Sequence, residues 1–144
     1  MANTSVDFWP TDFGTIDLVP PVTILREQAT ILGHKTKNIL EGYVLTSTTN
    51  NIAFSTGGKI RGTDGFTHEF RLKAKALNDY TYSLFTAMHS ITLYPVIVRT
   101  DTFYECGNQA EFEEALRHVF ASDETKRVIQ ALLALSTAQE PEHS

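Results

Sequence analysis

Cysteine is nearly missing from this sequence: Cys106 stands alone among 144 residues. A single thiol excludes an intrachain disulfide, and a chain without one is expected in the reducing cytoplasm. Long apolar runs are missing as well. None approaches the roughly 20 residues that a bilayer-spanning helix requires, so no membrane partner is expected. Met1 to Trp9 lacks the basic stretch followed by an apolar one that marks a secretory leader. An excess of positive charge is also lacking. The formal net charge is −5, which argues against nonspecific nucleic-acid binding, because phosphate contacts need a concentrated basic patch.

Motifs that announce chemistry are equally scarce. There is no Gly-x-Ser-x-Gly elbow, no Cys-x-x-Cys pair and no repeated aspartate pattern for calcium. The histidines are His34, His68, His89, His118 and His143, and no two share the i, i+4 spacing that sets two imidazoles on one metal. Gly57-Gly58-Lys59 fails the phosphate-loop pattern, since Ala53 stands where the first glycine belongs and Ile60 where Ser or Thr must meet magnesium. Glu111, Glu113 and Glu114 read as helix-surface acids, the first favouring the helix dipole and the others pairing with Arg117. No catalytic residue, metal or cofactor is expected.

What remains is an ordinary globular composition, 42% apolar and 20% charged. The length suits one domain that buries roughly 68–70% of its unfolded surface. Charge is unevenly spread. Residues 26–75 hold eight Lys/Arg against four acids, and residues 101–144 hold three against nine. The organisation expected is an arm over residues 1–19, one α+β domain over 20–136, and a disordered tail over 137–144.

The arm carries Phe8, Trp9 and Phe13 among Asp7, Pro10, Asp12 and Gly14. Three aromatics without a period of their own need a surface. Either they pack on their own domain or they are exchanged with a second subunit. After Pro20-Pro21, the residues Val22, Leu25, Ala29 and Leu32 form the stripe of an amphipathic helix, with Gly33 as the expected end. Asn38 to Ser47 reads as a strand, and residues 48–65 as a long polar, glycine-rich loop. Within that loop, Ile52-Ala53-Phe54 either extends one strand or starts the next.

Phe66 to Ala76 is the best-patterned segment. Phe66, His68, Phe70, Leu72, Ala74 and Ala76 alternate with Thr67, Glu69, Arg71, Lys73 and Lys75. Period two with one charged face predicts a strand of an antiparallel sheet. The alternation also separates His68 from Glu69, because strand neighbours point to opposite faces. Asn78-Asp79 suits a tight turn with positive φ. Tyr80 to Met88 is the returning strand, His89-Ser90 a second turn, and Ile91 to Arg99 a strand apolar on both faces, complicated by Pro95. Two helices close the chain. Asn108 with Glu111 caps the first, and Ser122 or Asp123 the second. The fold expected is α+β: an antiparallel meander of four strands, or five, with one N-terminal and two C-terminal helices mainly on one face.

The functional expectation follows from the arm and the charge asymmetry: a noncatalytic interaction module, working as a homo-oligomer or in a larger assembly, with Phe8, Trp9 and Phe13 at the interface. An alternative is an enzyme or ligand-binding protein with a pocket between sheet and helices that uses His68, Tyr82 or His89. A weaker one is nucleic-acid binding through Lys59, Arg61, Arg71, Lys73 and Lys75. Against it, Phe70 and Leu72 face away from those charges and so cannot serve as a stacking platform beside them.

Overall fold

A computed structural model describes residues 6–14, 17–56 and 59–139, without the side chains of residue 51 and residues 53–63. The elements run α1 (Pro21–Lys35), β1 (Leu40–Thr56), β2 (Lys59–Ala74), β3 (Tyr80–Ser90), β4 (Val96–Arg99), β5 (Phe103–Cys106), α2 (Gln109–Ala121) and α3 (Asp123–Ala138). All five strands form one antiparallel meander in sequence order. The α+β architecture and the three helices are as the sequence pattern implies, and the sheet takes the larger of the two expected strand counts.

The alternation of the Phe66–Ala76 segment becomes the floor of the core. His68, Phe70, Leu72 and Ala74 are buried on the helix-covered face, while Thr67, Glu69, Arg71 and Lys73 line the opposite, open face. Phe70 stacks on Phe85 of β3 at 5.3 Å between ring centroids, and Phe120 of α2 meets both rings edge-on. Phe112 of α2 is fully buried in the same cluster, together with Leu25, Leu40, Val96 and Val98. Each such side chain contributes about 1.5–3 kcal/mol relative to exposure.

Helix α1 lies on β1 at close range. A Cβ at Gly42 would sit 2.9–3.1 Å from the backbone and Cβ of Ala29, so glycine is what lets helix and strand approach. The helix ends two residues later than the sequence suggests. Gly33 is inside it, and the chain reverses at Lys37 and Asn38, whose φ values are 53° and 64°. Asparagine adopts that conformation at low cost because its short polar side chain bonds locally. The other two helices start as expected: Asn108 Oδ1 accepts from Glu111 N at 2.9 Å, and Ser122 Oγ from Thr125 N at 3.2 Å. Glu111 returns the favour one residue early, accepting from Gly107 N at 2.6 Å.

Four expectations need correction. The stretch 48–65 is not a loop. It is the outer part of the β1–β2 hairpin, paired from Thr48↔Phe66 out to Thr56↔Lys59. Its threonines are β-branched, and antiparallel pairing satisfies the backbone whatever the side-chain polarity. Gly57 and Gly58 lie outside the described residues. Second, His89-Ser90 is not a turn but the end of β3, and the strand expected at 91–99 shrinks to Val96–Arg99. The reversal falls instead on Ile91–Pro95, with Leu93 at φ 75° and a cis Tyr94–Pro95 bond. Third, Asn78 and Asp79 do take positive φ, 57° and 58°, but behind a 3-10 turn at Lys75–Leu77. Lys75 and Ala76 therefore leave the strand. Fourth, Thr137 and Ala138 continue α3 rather than a disordered tail; residues 140–144 lie outside the described set.

The long hairpin also bends. The β1–β2 register shifts between Thr49 and Ile52, a bulge that sends Ile52 onto the open face. There Ile52 packs with Ile97 and Met88. It reaches them across Gly65, where any Cβ would collide with the His89 carbonyl and with Ile52 Cδ1. This accounts for the two-sided apolar pattern of β4: Val96 and Val98 face the helices, and Ile97 lies under the bent hairpin.

Candidate functional site

The described part of the arm is exposed. Every described residue from Val6 to Val19 is solvent-facing, including Phe8 (91%), Trp9 (74%) and Phe13 (75%). The two carboxylates hold its local shape: Asp7 Oδ1 accepts from Trp9 N and Asp12 Oδ1 from Gly14 N, each at 3.0 Å. Trp9 and Phe13 meet edge-to-face at 5.8 Å. Trp9 and Phe13 thus pack on each other, and Phe8 stays in solvent.

His68 and His89 come together, which no spacing in the sequence suggested. β2 and β3 pair His68 with Ala87, so His89 is its diagonal neighbour on the helix-covered face. Both are 3% exposed. Their Nε2 atoms are 2.7 Å apart, His68 Nδ1 is 2.9 Å from Thr46 Oγ1, and His89 Nδ1 is 2.7 Å from the Ser90 carbonyl. The network assigns the tautomers. The carbonyl only accepts, so His89 Nδ1 carries a proton and its Nε2 accepts. His68 Nε2–H must donate to it, which leaves His68 Nδ1 to accept from the Thr46 hydroxyl. One directed chain, Thr46→His68→His89→Ser90, satisfies all four ring nitrogens. Burial first, then the neighbouring His89 and the positive Arg26 of α1, lower the His68 pKa from 6.5 to about 4. Phe66 packs beside His89 at 5.6 Å. Among the described residues no cluster of His, Cys, Asp and Glu could hold a metal.

Tyr82 does not join them. It lies seven residues along β3 from His89, about 23 Å, and lines a separate cavity of about 490 Å³ between β3, the β4–β5 turn and the α2–α3 junction. Arg99, Asp101, Tyr104 and Thr125 line it too. Cys106 shares a cross-strand row with His89, but Val96 stands between them. Two strand spacings, about 9.5 Å, separate their backbones. Burial, then Glu111 and Glu105, push the Cys106 thiol up to about 11, which disarms it as a nucleophile at neutral pH.

The basic strand is locally neutralised. Arg71 Nε is 3.0 Å from Glu69 Oε1, Lys73 sits over the Tyr43 ring, and Lys75 is 4.0 Å from Glu41. The Ser83 hydroxyl and then Arg71 hold the Glu69 carboxyl below its usual range. Lys59 and Arg61 belong to β2, with side chains outside the described residues. Arg71, Lys73 and Lys75 therefore each stand beside an acid or a ring.

An apolar groove of about 230 Å³ opens between α1 and α3, floored by Phe70, Leu72 and Leu84. No signal in the sequence placed it there; it follows from how far apart the two helices sit on the sheet. No helix among the described residues is long and apolar enough to cross a membrane. No protein family, curated protein or solved structure matches this chain.

Proposed function

We propose that this chain is a noncatalytic cytoplasmic protein-interaction module, acting as a homo-oligomer or as a subunit of a larger assembly. The observation that carries the reading is the arm: Phe8, Trp9 and Phe13 are exposed, and among the described residues the Trp9 ring meets only that of Phe13. Exposing three aromatics is costly in water, and a partner surface offsets that cost. The uneven charge, basic in the middle and acidic at the end, supports association with a complementary face. Size-exclusion chromatography with light scattering at high micromolar concentration tests the homo-oligomer. A mass of two or more 16.1 kDa chains is expected; a clean monomer removes it and leaves only a different partner.

A second reading has one observation in its favour. The cavity beside Tyr82 gathers Arg99, Asp101 and Tyr104 around about 490 Å³, a size that suits a small polar ligand. A ligand screen by thermal shift decides it, since binding to the native state alone raises Tm. No stabilising ligand in a broad metabolite set would sink it.

A further inference from the structure

We propose that the aromatic arm of one copy seats in the groove between α1 and α3 of a second copy, reciprocally, so that two chains exchange arms. This rests on the reading of the chain as an interaction module and names the partner and the surface. The groove is apolar at its floor and sides, with Phe70, Leu84, Phe120, Ile129 and Ile31, and carries Lys35 at its mouth. Its chemistry complements that of the arm. From residue 6 to residue 19 the chain holds Asp7, Asp12 and Asp17 and no Lys or Arg, whereas from Gln28 to Ile39 it holds Lys35 and Lys37 and no acid. An aromatic side chain entering the groove brings an aspartate toward a lysine, and such pairing fixes orientation as well as rate of encounter.

Geometry favours a second copy over the arm's own groove. Pro20 is extended, with ψ 149°, and leads directly into Pro21 at the start of α1. A residue before proline is confined to extended backbone, so the Val19-Pro20-Pro21 joint is extended. The groove lies against the other half of that helix, about 15 Å further on at 1.5 Å per residue. The arm does not fill the groove of its own copy, since Phe8, Trp9 and Phe13 stay exposed, which leaves arm and groove both open to a two-fold partner.

Trp9 is the only tryptophan, so its emission reports the arm alone. The test uses the full chain, a groove variant Ile31→Glu and an arm variant Trp9→Ala/Phe13→Ala. Ile31 is 42% exposed, so a charge there leaves the core intact while opposing burial of the arm. The wild type is expected as a dimer with blue-shifted Trp9 emission that reddens on dilution. Each variant alone is expected to raise the dimer Kd by about tenfold or more. Mixing the two variants restores a dimer, and the Trp9 of the Ile31→Glu chain shifts blue, because that intact arm now finds an intact groove. Should Ile31→Glu fail to fold, Lys35→Glu serves in its place, with Asp7→Lys/Asp12→Lys expected to restore association. A dimer that survives both variants overturns the exchange and leaves self-association standing. A wild-type monomer with exposed Trp9 overturns both. A monomer with buried Trp9 that mixing does not alter means the arm folds onto its own copy, and the exchange is wrong.

Discussion

Acid should weaken this fold before its carboxylates begin to protonate, and His68 is the reason. The folded pKa is about 4 against 6.5 for a free imidazole. The folded form therefore binds fewer protons than the unfolded chain across that interval. Stability rises with pH wherever the unfolded state holds more protons. So the neutral ring contributes nothing to pH dependence above about 7, and stability is lost as pH falls from 6.5 toward 4. One pKa unit is worth 1.36 kcal/mol, so the full interval corresponds to about 3 kcal/mol. The assay is urea unfolding at half-unit steps from pH 7.5 to 4.0, on the wild type and on His68→Phe. The substitution removes the donor to His89 Nε2 and costs about 1–3 kcal/mol at pH 7, because a buried acceptor loses its partner. It also flattens the pH dependence, so the gap between the two proteins narrows by about 2.5 kcal/mol between pH 6.5 and 4. Groups remote from His68 titrate alike in both proteins and cancel. Curves that stay parallel from pH 7.5 to 4.0 would refute the buried neutral chain.

Two further outcomes check the packing. Gly65→Ala sets a Cβ against the His89 carbonyl and against Ile52, and backbone cannot yield cheaply, so the urea midpoint should fall by the equivalent of about 2 kcal/mol or more at constant m; a loss below about 0.5 kcal/mol would mean that the hairpin does not bend over the sheet at that point. Cys106, with its thiol raised from 9.0 to about 11, should react with a disulfide reagent at pH 8 about a hundredfold more slowly in the folded protein than in urea, from thiolate fraction alone; comparable rates would place the thiol in solvent.

Much of the fold was legible because its strongest signals are local. The period-two run at Phe66–Ala76 shows which residues face the helices, and Asn108 and Ser122 mark helix starts by chemistry that acts within three residues. Pairing information is not local. The polar 48–65 stretch carries few apolar residues to alternate, so only its partner strand defines it as a strand. His89 was misplaced for a related reason. Phe85, Ala87 and His89 continue one inward-facing row, a readable signal, but the shift of the β2–β3 register between Phe70 and Arg71 puts the two halves of β3 out of phase. Tyr82 consequently falls on the same face as Phe85 despite an odd separation. No single-strand pattern reveals a bulge, because it exists only against the neighbouring strand. The histidine contact depends on that register and was invisible for the same reason, whereas the arm was readable from composition alone.

The histidine chain has a structural consequence that joins these points. A hairpin as long as β1–β2, with threonines on both faces, specifies its register weakly, because slipping by one residue exposes little that was buried. Thr46 on β1, His68 on β2 and His89 on β3 are tied by two hydrogen bonds across three strands. A one-residue slip of β2 turns His68 to the open face, brings Glu69 or Thr67 inward, and leaves His89 Nε2 without a donor in an apolar surround. An unpaired buried acceptor costs about 1–3 kcal/mol, and a carboxylate turned inward beside Phe85 costs more. The chain thus penalises the slipped pairings that the polar sequence would otherwise tolerate. The same register places Gly65 under Ile52 and sets Phe70 and Leu72 as the floor of the α1–α3 groove. Charging His68 in acid therefore acts on more than one buried ring: it weakens the tie that holds β1, β2 and β3 in phase, and with it the floor on which any arm must seat.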